Sequence, residues 1–183
     1  MLFRSAIARL AGTMKNVRLL IVGDGPLRTA LTEQATEAGV ADRVCFTGRR
    51  DDVPLLLSAM DIYVCSSASE GMSNAVLEAM ASGLAVVATD VGDNAKMIRD
   101  GEDGLIIEPH SSTAIGQAVG TLAESPELRR NLAAAARIRA MTFDFDRAVQ
   151  NYEQYYSHLV DSNARRWLPA VQWRSAAPIG DYA

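Results

Sequence analysis

The chain has 183 residues, 49% of them hydrophobic and 22% charged, which suits one globular domain with a substantial core, with or without appendages. A formal charge of −4 and a sequence pI of about 5.2 exclude a bulk electrostatic attraction to nucleic acid. No apolar run is long enough to span a membrane and the first ten residues lack the apolar core of a signal peptide, so a cytoplasmic setting is the default expectation.

Residues 1–12 place Leu2, Phe3, Ile7 and Leu10 at helical spacing, which predicts a helix. It opens with no cap and no preceding strand. A doubly wound domain seldom begins that way, and the expectation is that something upstream is missing. Val17 to Val22 is a β-branched and leucine run with little alternation, so a strand covered on both faces is predicted. Gly23-Asp24-Gly25-Pro26 turns the chain into a helix that runs to about Ala38 and stops at Gly39. A second strand is predicted at Arg43 to Phe46, a polar loop at 48–52, a short helix at Val53 to Met60 and a third strand at Asp61 to Cys65. After a serine-rich loop and a further helix, Leu84 to Thr89 reads as the fourth strand. A short helix from about Ala95 to Arg99 and a last strand at Leu105 to Ile107 follow. Cys45 and Cys65 fall in apolar strand-like runs, which suits buried free thiols better than a disulfide or a metal site.

Strands alternating with helices predict an α/β fold with an open, doubly wound, Rossmann-like parallel sheet. Ligands of such sheets bind beyond the carboxyl ends of the strands. The loops at 23–26, 47–52, 66–74 and 89–94 lie there. From Ser111 the chain reads as helical, with caps at Ser111 or Ser112, at Ser125-Pro126 and at Asp144, the last helix reaching Val160. In that helix Tyr152, Tyr155, Tyr156 and Leu159 follow helical spacing and suit a packing stripe better than a stacking platform. One α/β domain is thus expected over residues 1–160. Residues 161–183 show no period and read as a poorly ordered tail. Within it, Arg165-Arg166-Trp167 and Trp173-Arg174 are weak candidates for a peripheral contact with the inner membrane face.

The stretch Glu70-Gly71-Met72-Ser73-Asn74-Ala75-Val76-Leu77-Glu78-Ala79-Met80-Ala81-Ser82-Gly83 carries the chemistry. It reads as a loop turning into a helix, with Ser73 or Asn74 as N-cap and Gly83 as the stop. Glu78 is the only charge between Ala75 and Leu84. A lone carboxylate on so apolar a helix sits at a surface or faces a polar ligand. Asn74 lies four residues earlier on the same face, and helical side chains lean toward the N-terminus, so Glu78 leans toward Glu70. The helix start also offers free N–H groups to an anion. Two acids, an amide and an anion-binding backbone suit a ligand with both hydroxyls and phosphates. The plainer alternative is that Glu70 complements the helix dipole and Glu78 belongs to a solvated stripe.

Other motifs fail. Gly23-Asp24-Gly25-Pro26-Leu27-Arg28 has two glycines of a dinucleotide fingerprint but Arg28 at the third, where glycine allows close helix–strand packing. No P-loop lysine follows a glycine loop. His110 and His158 lack zinc spacing, and no serine lies in a nucleophile elbow. A receiver domain would need a phosphorylatable Asp after the third strand, where serines stand.

Glu70 and Glu78, with seven residues between them, resemble the Glu-x7-Glu signature of the retaining family 4 glycosyltransferases, also called group 1. The blocks Leu19-Leu20-Ile21-Val22-Gly23-Asp24-Gly25-Pro26-Leu27-Arg28 and Val44-Cys45-Phe46-Thr47-Gly48 are similar too. So are Ser69-Glu70-Gly71, the run from Leu77 to Thr89, and Asp100-Gly101-Glu102-Asp103-Gly104-Leu105. The resemblance covers roughly residues 1–160. It implies a GT-B architecture of two Rossmann-like domains facing a cleft, of which this chain is the second, donor-binding half.

The resemblance implies roles. Glu78 would hold the ribose hydroxyls of a UDP- or GDP-linked sugar, and Glu70 would lie by the transferred hexose as the catalytic-site acid. The N–H groups of Gly71, Met72, Ser73 and Asn74 would approach that sugar and the diphosphate. Gly23 and Gly25 would let the first loop come close to the donor. The loop from Gly48 to Asp52 would lie near the base, with Arg49 or Arg50 as a source of positive charge. Transfer would retain the anomeric configuration by a front-face reaction, so Glu70 need not be a nucleophile. No metal or other cofactor is expected. The family also carries a glycine-arginine stretch and a lysine before the helix that opens this chain, and neither is present, nor is the acceptor domain. The chain alone is therefore expected to transfer little or no sugar. A glycan or lipid-linked acceptor would come through a missing or separate N-terminal domain, in polysaccharide or lipid-linked glycan assembly. The alternatives are a truncated gene product, a non-catalytic nucleotide-sugar-binding module, and half of a nucleotide-sugar 2-epimerase.

Overall fold

The computed structural model describes residues 12, 14, 16–143, 149, 150 and 152–160. The helix expected at 1–12 and the tail at 161–183, with its Arg/Trp clusters, lie outside the described residues, apart from Gly12, which is helical. The chain divides into two compact units, Met1–Thr142 and Phe143–Ala183. The division falls ahead of residue 160, where the sequence places the end of the domain.

Among the described residues of the first unit, the three pairs of strands are parallel. Strand β1 (Leu19–Val22) pairs with β2 (Val44–Gly48), Leu19 opposite Val44 and Ile21 opposite Phe46, with an irregularity before Val22 meets Gly48. Strand β3 (Ile62–Cys65) pairs with β4 (Ala85–Thr89), Ile62 opposite Ala85, and β4 pairs with β5 (Leu105–Ile107), Val87 opposite Leu105. The strands thus form two hydrogen-bonded groups, β2-β1 and β3-β4-β5. Helices α1 (Arg28–Glu37), α2 (Val53–Ser58), α3 (Asn74–Ala81) and α4 (Asn94–Met97) connect them, so the predicted α/β alternation is met. Helices α5 (Ser112–Glu124) and α6 (Pro126–Ala140) follow.

Capping explains where the last two helices begin. The Ser111 hydroxyl accepts the Ala114 N–H at 3.1 Å, and the Ser125 hydroxyl accepts the Leu128 N–H at 3.3 Å. Pro126 fills the first position of α6, where a missing N–H costs nothing.

One core cluster joins Leu19 of β1 to Ile115 and Val119 of α5, with Ile21, Val44, Ile62, Val64 and Ile107 packed around them. Helix α5 therefore lies across both strand groups. A second cluster puts Ala85 and Val87 of β4 against Leu122 of α5 and Leu132 of α6. Each fully buried aliphatic side chain contributes about 1.5–3 kcal/mol.

Two expectations need correction. The first strand is not covered on both faces: only Leu19 of β1 is buried, whereas all five residues of β4 are. Among the described residues β4 has a strand on each side and β1 on one only. Cys65 is a buried free thiol as expected, but Cys45 is exposed. Among the described residues strand β2 is likewise paired on one side only, and alternation turns Cys45 to an exposed face.

In the second unit, residues 152–160 are helical. Tyr152 and Tyr156 stack with ring centroids 6.4 Å apart, and Tyr155 meets Tyr156 edge-on. The three rings are 60–65% exposed, so the stripe has the spacing of a packing face without being covered.

Candidate functional site

Helix α3 is built for a loop-to-helix transition at the carboxyl rim of β3. Ser73 takes the N-cap position, with extended backbone and its carbonyl accepting the Leu77 N–H at 3.2 Å. Its side chain makes no capping bond, so the first amides of α3 have no side-chain acceptor from it. Val76, Ala79 and Met80 are fully buried and anchor the helix, while Asn74, Ala75 and Glu78 are exposed. At the far end Gly83 adopts φ +75°, and Leu84 N–H reaches Ala79 O at 3.1 Å while Gly83 N–H reaches Met80 O at 3.0 Å. Such a left-handed cap satisfies two orphan carbonyls at the predicted stop.

Glu70 is half-buried just ahead of this helix. The Ser67 hydroxyl donates to its Oε1 at 2.6 Å. Ser67 is itself held from behind: its carbonyl accepts the Thr89 hydroxyl at 2.7 Å, and the Thr89 carbonyl accepts from Asn94 Nδ2 at 3.0 Å. Thr89 and Asn94 are both buried. The loop after β4 thus braces the loop after β3. Its backbone comes closer still, since the Asp93 N–H donates to Gly71 O at 3.2 Å and Gly92 packs on the Glu70 and Gly71 carbonyls. Met72 is exposed beside them, and Ser73 is buried.

Glu78 lines a cavity of about 1400 Å³ together with Ser66, Ala75 and Tyr63. Burial pushes the Tyr63 hydroxyl up to about 12, and charge on Cys65, Glu78 and Glu70 adds to the effect. Both acids are therefore within electrostatic reach of one phenol on β3. The structure brings Glu70, Gly71, Met72, Ser73, Asn74 and Glu78 together on one rim.

The remaining candidates sit on the β1–β2 side. The Gly23 N–H donates to Gly48 O at 2.9 Å, tying the first loop to the end of β2. Gly25 N–H donates to Asp24 Oδ1 at 2.8 Å, and its carbonyl accepts the Arg28 N–H. Arg28, the residue that spoils the dinucleotide fingerprint, donates to Phe46 O at 3.4 Å and lies 3.7 Å from Asp24. Arg49 is exposed. Asp52 is engaged by Arg50 through two bonds, Nε to Oδ1 at 2.7 Å and a terminal nitrogen to Oδ2 at 2.6 Å. That pairing holds the Asp52 carboxyl below its ordinary range and the Arg50 guanidinium above its own.

Three contributors escape sequence reasoning. Ser67 is one of three serines in Ser66-Ser67-Ala68-Ser69, with nothing to single it out. Tyr63 reads as an ordinary strand residue. Gly92 was legible only as a loop glycine between a strand and a helix, a position where close backbone approach is a standing option. Among the described residues no group of three His, Cys, Asp or Glu could hold a metal ion.

Comparison with known proteins fits this geometry. The family model for glycosyl transferases group 1 matches residues 1–125. The chain is 38% identical over 128 residues to the lipopolysaccharide core biosynthesis glycosyltransferase LpsE of Rhizobium meliloti, covering 70% of this chain and 36% of that protein. Among solved structures it is similar to HepE of Anabaena, which was determined in complex with UDP: TM-score 0.80, 27% identity, 86% of this chain and 44% of that one. HepE was also solved with UDP-glucose. The C-terminal domain of the group 1 glycosyl transferase LpcC from Francisella tularensis matches with TM-score 0.72 and 29% identity, over 77% of this chain and 76% of that domain. The chain thus spans about two fifths of the length of the curated relatives it matches. By its matched residues, its strand–helix order and its rim, this chain belongs to the group 1 glycosyl transferases.

Proposed function

We propose that the chain supplies the donor-binding half of an enzyme that moves a hexose-type sugar from a nucleotide diphosphate to an acceptor with retention at the anomeric carbon. The observation that carries this reading is the position of Glu78, lining the cavity with Tyr63 and Ser66 and borne on the helix whose start is uncapped, with Glu70 held by Ser67 in the loop just ahead. A carboxylate only accepts hydrogen bonds, so each acid suits hydroxyl donors. Glu78, exposed and at the mouth of the cavity, suits a vicinal pair such as the ribose hydroxyls of UDP. Glu70 keeps Oε2 for a hydroxyl of the transferred sugar, because Ser67 occupies Oε1. The amides at the start of α3 suit the diphosphate.

In the reaction the bond from the anomeric carbon to the diphosphate oxygen breaks, and a bond to the acceptor oxygen forms on the same face. The acceptor proton passes to the departing diphosphate. The chain's task is to hold the donor and to stabilise charge growing on the diphosphate. The acceptor, a glycan or lipid-linked glycan, belongs to a second domain in this reading.

Thermal melting with UDP, UDP-glucose and GDP tests the donor site. UDP at 100 times its dissociation constant should stabilise the fold by about 2.7 kcal/mol. Glu78→Ala should abolish the shift without lowering the melting temperature of the free chain, and Glu70→Gln should weaken UDP-glucose but not UDP. No shift with any nucleotide, or shifts that ignore Glu78→Ala, would overturn the assignment.

A further inference from the structure

Resting on the donor site proposed above, we infer that Thr89 is a positioning residue for the transferred sugar: from the end of β4 it acts through Ser67 to aim the Glu70 carboxylate. The β3–β4 ladder runs to Cys65 opposite Ala88. Just beyond that pair a side chain takes over from the backbone. The Thr89 hydroxyl donates to Ser67 O at 2.7 Å, with Cys65 O 3.4 Å away. Ser67, fixed at its carbonyl, donates its own hydroxyl to Glu70 Oε1 at 2.6 Å. Thr89 is 1% exposed, so it reaches the site through Ser67 and touches no ligand itself.

Thr89 is a firm point to push from. It lies opposite Ile107 of β5, and its carbonyl accepts both the Val91 N–H at 2.9 Å and Asn94 Nδ2 at 3.0 Å. Asn94 is fully buried, and its Oδ1 has no hydrogen-bond partner among the described residues. An orphaned amide oxygen costs stability. Asn94 is therefore poorly explained by the fold alone, and the bond its side chain makes goes to the residue that holds Ser67. The loop itself is already gripped elsewhere. Gly92 packs on the Glu70 and Gly71 carbonyls, and the Asp93 N–H donates to Gly71 O. Those contacts fix the peptide of Glu70 and leave its long side chain free to turn. Only the route through Thr89 and Ser67 reaches the carboxylate. An acid aimed before the ligand arrives loses less rotamer freedom on binding. The gain falls on the sugar that meets Glu70 and not on the nucleotide that meets Glu78.

Calorimetric titration of the 183-residue chain with UDP-glucose and UDP tests this. Thr89→Val keeps the shape and removes only the hydroxyl. It should weaken UDP-glucose about five- to tenfold and leave UDP within about twofold. Thr89→Ser restores the donor and should restore UDP-glucose. In a Ser67→Ala background Thr89→Val should cost nothing further, because its route to Glu70 is gone. Should Thr89→Val fail to fold, Asn94→Leu is read in the same way: it removes the orphan oxygen with the amide, and the Val91 N–H still occupies the Thr89 carbonyl. Equal weakening of both ligands, no rescue by serine, or losses that add to those of Ser67→Ala would overturn the inference. So would unchanged UDP-glucose affinity, and UDP binding by the same protein would then leave the donor site standing. A parent chain that binds neither ligand overturns the donor site and this role with it.

Discussion

A Cβ placed on Gly92 would stand 2.1 Å from the carbonyl oxygen of Glu70. No side chain fits that gap, and the neighbour is backbone rather than a flexible tip. Gly92 also adopts φ +57°, which costs an L-residue about 1–2 kcal/mol by itself. Gly92→Ala should therefore lower unfolding stability by at least ~2 kcal/mol in urea titration. Because the displaced group is the Glu70–Gly71 peptide, it should also weaken UDP-glucose at the proposed site. Gly101→Ala, also at positive φ but with open space around it, serves as the control and should leave that affinity intact.

Ser67 fixes one oxygen of Glu70 at 2.6 Å. A hydrogen bond to a charged group contributes about 1.5–3 kcal/mol when buried, and this half-buried one should contribute less. Ser67→Ala should cost roughly 1 kcal/mol of stability. It should weaken a nucleotide sugar more than the bare nucleotide, since the freed carboxylate loses its orientation. Calorimetric titration with UDP-glucose and UDP checks the split. Equal loss for both would mean that Ser67 serves only the loop.

Much of this was legible in the sequence because the chain is sharply punctuated. Gly39, Gly83 and Pro126 stand where helices stop or start, and the apolar runs at 19–22, 62–65 and 85–89 became strands. The acid pair was legible because Glu78 is the only charge on an apolar helix. What stayed hidden depends on neighbours distant in sequence. Val17 to Val22 has the composition of a strand covered on both sides, and composition cannot say that one side is open. Cys45 reads as apolar, but its exposure depends on what covers β2. Arg49 and Arg50 are adjacent and alike in sequence, and only the fold shows Arg50 closing on Asp52. Ser67 needed Thr89 and Asn94, more than 20 residues away, to become a brace.

The turn that delivers β5 rests on a buried carboxylate. Asp103 is fully buried, accepting the Arg99 N–H at 2.7 Å on Oδ1 and Arg99 Nε at 2.6 Å on Oδ2. The pairing holds the Arg99 guanidinium above its ordinary value. Asp103→Ala strands a backbone donor and opens a polar void, so a loss of about 3 kcal/mol is expected. Asp103→Asn keeps one acceptor and should lose about half of that. Chemical denaturation of the three proteins orders them. A D103A variant as stable as the parent would show that the turn is held by backbone bonds alone.

Tyr63 makes the rim report on alkali. Its hydroxyl is pushed from 10.0 to about 12, chiefly by burial and then by Cys65, Glu78 and Glu70. Between those two values the unfolded chain has lost the proton and the folded chain still holds it. The unfolded state then binds fewer protons, so stability falls as pH rises. The contribution is complete below pH 10 and is lost as pH climbs through about 12. Two pH units correspond to about 2.7 kcal/mol at most, and the solvent contact that Tyr63 keeps trims this to roughly 2. Tyr63→Phe should leave stability near pH 7 little changed and flatten the decline above pH 10 relative to the parent. Glu78→Gln should flatten it in part, by removing one of the charges that oppose ionisation. Denaturation midpoints of the three proteins from pH 8 to pH 11.5 test both effects. Parallel curves would mean that Tyr63 ionises as freely in the fold as in the open chain, and that the charge on Glu78 does not act on it.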